Sequence, residues 1–375
     1  MLQILIIDDD YVVQLMLLRM LEKQGYEIIT ASNGEIGMAQ AEKFRPALII
    51  CDWMMPRMDG LEVCRQIKAD PVLCTTFFIL FTSLGSVADR VKGLDAGADD
   101  FITKPIDENE LKARVRAGLR LHQMSHDLQV QKQLLEAEMA EAAKYVRSLL
   151  PPAMSGAITV DSRFISSQQL GGDCFDYYWL DSEHLVIYLL NSAGHGLKAA
   201  LKSATVLNLL RFRTLAQLNY YQPREVLEAL NHTFASKDQN DKHFTIWYGV
   251  YNCVKRQLIY ASAGHPPAVL LAQTKTKLHV EQLQTAGLPI GMFPEVKYFD
   301  SYCSVKESST LYVFSAGVYN IKQQDGVIWD VDAFINLVRS RHQQEWHLDE
   351  ILEELTALSY QNSNNDLSII QTKFD

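Results

Sequence analysis

Five polar residues in the first third of the sequence have side chains that together suit phosphoryl chemistry: Asp8, Asp9, Asp52, Thr82 and Lys104. Asp8 and Asp9 follow the apolar run LQILII (2–7), Asp52 follows ALIIC (47–51), Thr82 follows FFILF (77–81), and Lys104 follows DDFIT. Short, wholly apolar runs fit strands buried on both faces of a parallel sheet, and ligands bind at the carboxyl ends of such strands. Three carboxylates gathered at one point repel one another unless a cation intervenes, and oxygen ligands suit Mg²⁺ rather than zinc. A lysine and a hydroxyl beside such a carboxylate point to phosphoryl transfer onto it, giving an aspartyl phosphate. Helix capping would explain Asp8 or Asp9 alone, but not all five positions.

A second stretch, LVIYLLNSAGHGLKAAL (185–201), has the shape of an anion site but not its charge. An apolar run breaks into a glycine-containing turn that opens a helix, which gathers backbone N–H groups at one point. The turn carries no acid to hold a metal. GHGLKA (194–199) matches G-x-G-x-x-A, but no ribose-binding acid follows a second strand, and no GK[ST] closes a P-loop.

The elements that must position these residues fall into three parts. Apolar runs alternate with the amphipathic stretches VVQLMLLRMLEKQG (12–25) and GEIGMAQAEKF (34–44), which predicts a doubly wound α/β domain over 1–122. Residues 107–150 hold no glycine after Gly118 and no proline, so one long helix is expected, with 123–150 as a helical linker. Leu121, Met124, Leu128, Leu135, Ala142 and Leu149 form a heptad-like seam, interrupted by Gln131 and Glu138. Two readings stand: a parallel homodimer through that seam, or a single helix packed on its own domains. After Pro151-Pro152, runs such as FDYYWL, LVIYLL, FTIWYGVYN, RQLIYASAG, AVLLAQ, TLYVFSAG and LSIIQTKF read as strands. Helical stretches at about 195–219, 223–236, 331–340 and 348–358 accompany them. Segregated strands and helices predict an α+β domain over 151–375, a β-sandwich flanked by helices.

IIDDD, CDWMMPRMDG, FTS and FITKP resemble the motifs of response-regulator receiver domains, over residues 1 to about 122. The resemblance implies that Asp52 is the phosphoacceptor and that Asp8 and Asp9 hold Mg²⁺, joined by Asp52 and the backbone carbonyl of Met54. It further implies that Lys104 pairs with the phosphoryl group, that Thr82 donates a hydrogen bond to it, and that Phe101 is the switch aromatic. A cognate histidine kinase is the implied partner.

In the second half AAKYVRSLLPP, LGGDCFDYY, NSAGHGLKAAL, ASAGHPPAVLL, GLPIGMF, FSAGVYN and NDLSII occur in order. Together they resemble the PPM family of metal-dependent serine/threonine phosphatases, in its bacterial sporulation and stress-response branch. That family uses two divalent metals held by aspartates to activate water and clamp phosphate. Here Asn191 stands where the family has a bridging acid, Ala316 where it has the acid of a TDG-like turn, and Asn365 where it has the acid of a DD-x-T-like segment. Asn320 also replaces a usual acid; Asp173 remains, with Asp366 as a neighbour. An amide is a neutral ligand, weaker for hard cations, and alanine offers none. No metal cofactor is therefore expected in this domain. His195 and His265, in GHG and GHP turns, read as turn-stabilising.

The functional expectation is a phosphorelay response regulator whose output domain is a pseudophosphatase acting by protein binding. Its partner, by the same resemblance, is a STAS-type anti-sigma antagonist or a sigma or anti-sigma factor. The alternative is an active phosphatase that dephosphorylates such an antagonist; a third reading is a structural dimer whose output lies in the helix. A net charge of −10 argues against nonspecific nucleic-acid binding. No apolar run approaches the roughly 20 residues of a membrane helix. The six cysteines lack metal or disulfide spacing, so a reduced, cytoplasmic setting is expected.

Overall fold

Alternate residues of the first apolar run enter different cores: Ile4 and Ile6 one, Leu5 and Ile7 the other. That is the period of a strand covered on both faces. The computed structural model describes residues 2–83, 87–167, 170–194, 196–235, 243–273, 278–323, 328–342, 347–358 and 365–375. It divides into two units, Met1–Glu136 and Ala137–Asp375.

In the first unit the strands β1 (Gln3–Ile7), β2 (Glu27–Ala31), β3 (Leu48–Asp52), β4 (Phe77–Thr82) and β5 (Asp100–Thr103) form one sheet, in the order β2-β1-β3-β4-β5. All pairings are parallel. The helices are α1 (Tyr11–Glu22), α2 (Gly34–Phe44), α3 (Gly60–Ala69), α4 (Val87–Asp95) and α5 (Glu108–Ser148). Leu17 and Leu21 of α1 and Leu111, Val115 and Leu119 of α5 cover one face; Ala41 of α2 and Val63, Cys64 and Ile67 of α3 cover the other. Asp10, Asn33 and Asp59 cap α1, α2 and α3, each accepting from a backbone N–H of the first turn.

α5 is one continuous helix of 41 residues. Its first turns are buried against the sheet, whereas Leu121, Met124, Leu128 and Leu135 are each at least half exposed. Leu149 departs from the expected seam: it lies beyond the helix and packs, with Leu150, on a core of the second unit.

Among its described residues the second unit has ten strands: β6 (Ile158–Ile165), β7 (Asp173–Trp179), β8 (His184–Ser192), β9 (Phe244–Asn252), β10 (Gln257–Ala263), β11 (Ala268–Gln273), β12 (Leu278–Leu283), β13 (Ser301–Ser304), β14 (Ser309–Phe314) and β15 (Leu367–Phe374). They form two antiparallel sheets, β13-β10-β9-β8-β7 and β12-β11-β14-β15-β6. Trp247, Tyr251, Leu189, Leu270, Val313 and Ile370 belong to the core shared by the two sheets. Helices α6 (Leu197–Arg211) and α7 (Pro223–Phe234) cover the first sheet through Val206, Leu210, Val226 and Leu230. Helices α8 (Val331–His342) and α9 (Leu348–Leu358) cover the second through Phe334, Val338, Ile351 and Leu355. The result is the expected sandwich flanked by helices. α6 stops at Arg211, short of the expected 219, because the chain turns there, with Arg213 and Gln217 at positive φ. No helix among the described residues is long and apolar enough to cross a membrane.

Candidate functional site

The carboxyl ends of β1, β3 and β5 bring the first acid set together. One carboxylate oxygen from each of Asp8, Asp9 and Asp52 lies within 4.8 Å of the others. Asp8 and Asp52 are buried and Asp9 is exposed. Lys104, just past β5, reaches both buried acids, with Nζ 2.8 Å from Asp52 Oδ1 and 3.0 Å from Asp8 Oδ2. Burial raises the Asp52 pKa, against the hydrogen bond and charge of Lys104, while the Asp8 and Asp9 charges add to the rise. Burial disfavours the Lys104 ammonium, but its bonds to Asp52 and Asp8 outweigh this and hold its pKa above the ordinary lysine value.

Three carboxylates against one ammonium leave excess negative charge on an all-oxygen donor set. That chemistry fits a hard divalent cation with room for water. Thr82 ends β4 and is buried. Met54 is exposed two residues after Asp52. Phe101 lies on β5, its ring against α4: a Cβ built on Gly93 would lie 2.4 Å from Phe101 Cζ and 2.9 Å from Leu80 Cδ1.

The second set converges at one end of the sandwich. Asp173 begins β7 and faces Asn191 near the end of β8, whose Nδ2 donates to Asp173 Oδ1 over 2.5 Å. Burial, with the charge of Asp366 adding, pushes the Asp173 pKa up to about 7, against the polar Ser315, Ser368 and Asn191 side chains nearby. Asp173 Oδ2 has no partner of hydrogen-bonding geometry. Ser315 precedes Ala316, the first residue of a short 3-10 turn (Ala316–Val318), and its hydroxyl joins the backbone of Asp366 and Ser368. Asn365 is exposed, one residue before the buried Asp366, and Asn320 is exposed as well.

Asp366 is saturated by protein donors. Its carboxylate accepts from the N–H of Ser167 (2.9 Å), Gly172 (2.5 Å) and Asp173 (3.3 Å), and from the hydroxyls of Ser166 and Ser167. Glycines allow this closeness: a Cβ on Gly171 would lie 2.5 Å from Asp366 Oδ2, and one on Gly317 would fall 2.1 Å from the Asp366 carbonyl oxygen. This donor set does not fit a pair of divalent metals. Among the described residues Asp173 is its one open carboxylate, Asn191 turns an N–H toward it, and Ala316 brings no side-chain oxygen. Among the described residues, the only group of three or more potential ligands is the Asp8, Asp9 and Asp52 cluster.

His265 is buried, and burial lowers its pKa to about 4, so the ring is neutral at pH 7. Its Nδ1 lies 3.1 Å from the Pro266 carbonyl oxygen, a contact within the β10–β11 turn. His195 lies outside the described residues. The sequence reading missed Ser315, Ser368 and the loop donors Ser166 and Ser167. The SAG (315–317) and NDLS (365–368) segments, which carry Ala316 and Asn365, contain two of these serines.

Comparison with known proteins places these features. The response regulator receiver domain model matches residues 4–116. The alkaline phosphatase synthesis transcriptional regulatory protein PhoP of Bacillus subtilis is 41% identical over 118 residues, 32% of this chain and 48% of that protein. The response regulator MprA of Mycobacterium leprae is 43% identical over 122 residues, 32% of this chain and 51% of that protein. The chain thus spans about half the length of these curated relatives. The solved SiaA-PP2C domain of Pseudomonas aeruginosa, at 17% identity and TM-score 0.55, covers 65% of this chain and 99% of its own; the likeness is one of fold. The receiver domain is joined to a PPM-type phosphatase domain, and with the stage II sporulation protein E (SpoIIE) model matching residues 181–375, the chain belongs to that family.

Proposed function

We propose that this protein is a two-component response regulator in which phosphorylation of Asp52 controls a PPM-type output domain that binds a protein without hydrolysing phosphate. The observation that carries the output reading is the state of its acids. Asp173 faces an amide at Asn191, and the neighbouring Asp366 is filled by the loop around Ser167 and Gly172.

In the receiver, Asp8, Asp9, Asp52 and the carbonyl of Met54 would hold Mg²⁺. Bound there, the ion offsets the charge of the acids and of an incoming phosphoryl group. An Asp52 carboxylate oxygen attacks phosphorus, and the bond from phosphorus to the imidazole nitrogen of the donor's phosphohistidine breaks, the imidazole leaving with the bonding pair. Lys104, already 2.8 Å from Asp52, meets the added phosphate charge, and Thr82 donates its hydroxyl to a phosphoryl oxygen. Drawing Thr82 toward the phosphate opens space for Phe101, so a local charge change biases a two-state element. The donor is a cognate histidine kinase. The output partner is a STAS-type antagonist or a sigma or anti-sigma factor, and the exposed seam on α5 joins two copies in parallel.

The deciding assay incubates the full chain with Mn²⁺ and either a phenyl phosphate or a phosphoserine peptide, before and after acyl-phosphate treatment. No turnover is expected in either state, since receiver activation can move ligands but cannot create carboxylates. Robust Mn²⁺-dependent turnover that Asp173→Ala abolishes would overturn the binding-only reading.

A further inference from the structure

The buried stripe of α1 runs through positions 14, 17 and 21, and its first member is a glutamine where the pattern calls for an apolar side chain. Gln14 is 7% exposed. Its Nε2 donates to the carbonyl of Asp8 at 2.6 Å and to that of Ala31 at 3.2 Å. Both neighbours are acceptors, so only the nitrogen end of the amide can face them.

These carbonyls lie where the sheet ends. The β1–β2 register stops at Ile7 and Ala31, and the β1–β3 register at Ile7 and Cys51. Asp8 still donates its N–H to Ala31 at 3.1 Å, but its carbonyl has run past the ladder. Gln14 supplies the missing donor. A planar peptide links the Asp8 carbonyl to the nitrogen of Asp9, so holding that oxygen sets the direction in which the chain carries Asp9. The Asp8 side chain is held separately: Oδ1 accepts from the Asp10 N–H at 2.9 Å and Oδ2 from Lys104.

We propose that Gln14 is a positioning residue for the receiver's acid cluster: by clamping the ends of β1 and β2 it aims Asp8 and Asp9 at the cation. The proposal rests on the reading of that cluster as a Mg²⁺ site. Outer partners that orient ligands typically change metal affinity by about 10- to 100-fold when removed.

The test uses the full chain as wild type, Gln14→Met (same reach, no donor), Gln14→Asn (amide kept, shorter) and Leu17→Ala. The last removes packing from the same stripe without touching the site. Mg²⁺ affinity is measured by titration calorimetry and stability by thermal melting. Both Gln14 variants should weaken Mg²⁺ by roughly tenfold or more, while Leu17→Ala lowers Tm and leaves Mg²⁺ affinity within about twofold of wild type. A folded Gln14 variant that binds Mg²⁺ like wild type overturns the positioning role with the site intact. A wild type that binds no Mg²⁺ overturns the cation reading itself, and this proposal with it.

Discussion

Asn191 donates its side-chain amide to Asp173 across the β7–β8 ladder, 2.5 Å from nitrogen to oxygen. An acid at 191 would set a second carboxylate against a buried first one, and two such groups cannot both ionise cheaply. Asn191→Asp alone should therefore destabilise the second unit, lowering its Tm by about 5 °C at pH 8 and by less near pH 5, where the pair can share a proton. Circular dichroism melts at the two pH values check this. An unchanged Tm at pH 8 would mean that the amide is not what relieves Asp173.

Restoring all three acids should behave differently. Asn191→Asp, Ala316→Asp and Asn365→Asp together provide carboxylate charge, so Mn²⁺ should raise the Tm of the second unit in the triple variant while leaving that unit of the wild type unmoved; any Mn²⁺ effect on the receiver is common to both. Ligands of one centre act as a unit, so no single restoration should confer this response. Calorimetric titration with Mn²⁺ gives the direct readout, and Mn²⁺ binding by wild type at this site would contradict the donor-set argument.

The Asp173 carboxyl sits at about 7 because it is buried. An ordinary aspartate titrates near 3.9, so the folded state holds this proton more tightly than the unfolded chain does. The sign follows from linkage: stability is greatest below the unfolded value, falls as pH rises through the window up to the folded value, and is level above it. Asp173→Asn keeps an acceptor for Asn191 and carries no charge. Its Tm advantage over wild type should be near zero at pH 4 and full at pH 8. A constant difference across that range would place the burden on some other group.

Asp52 obeys the same sign, since burial raises its pKa as well. Without Mg²⁺, Asp52→Asn should melt above wild type at neutral pH while losing the phosphoryl label that an acyl phosphate gives wild type in Mg²⁺. Phosphate-affinity electrophoresis reads the second effect. Equal labelling of both proteins would remove Asp52 as the acceptor.

Leu121, Met124, Leu128 and Leu135 leave an apolar seam exposed on α5. Light scattering of the full chain, with and without beryllofluoride, should report a dimer that Leu128→Glu with Leu135→Glu converts to monomer. A wild-type monomer under both conditions would rule the seam out as a dimer contact.

What could be read from the sequence followed burial. Interior strands such as LIICD and FFILFT announce themselves because both faces are apolar. The strands not anticipated, β2, β6, β12 and β13, all stand at sheet edges, where partial solvation dilutes the apolar pattern. The receiver acids were legible because each follows an apolar run directly. The serines around Asp173 and Asp366 were not, because their role depends on chain return: Ser167 meets a residue 199 positions away. Gln14 was available as an anomaly, a polar residue in a leucine stripe, but its partners appear only when β1 and β2 lie side by side.

Glycine hems in Asp366 on two sides. Gly171 and Gly317 have no room for a methyl group, whatever the neighbouring acids do. The space beside Asp366 fixes those two glycines whether or not positions 191, 316 and 365 carry acids. A glycine pattern in this fold therefore reports the shape of the loops, and only the carboxylates report whether a metal can be held there.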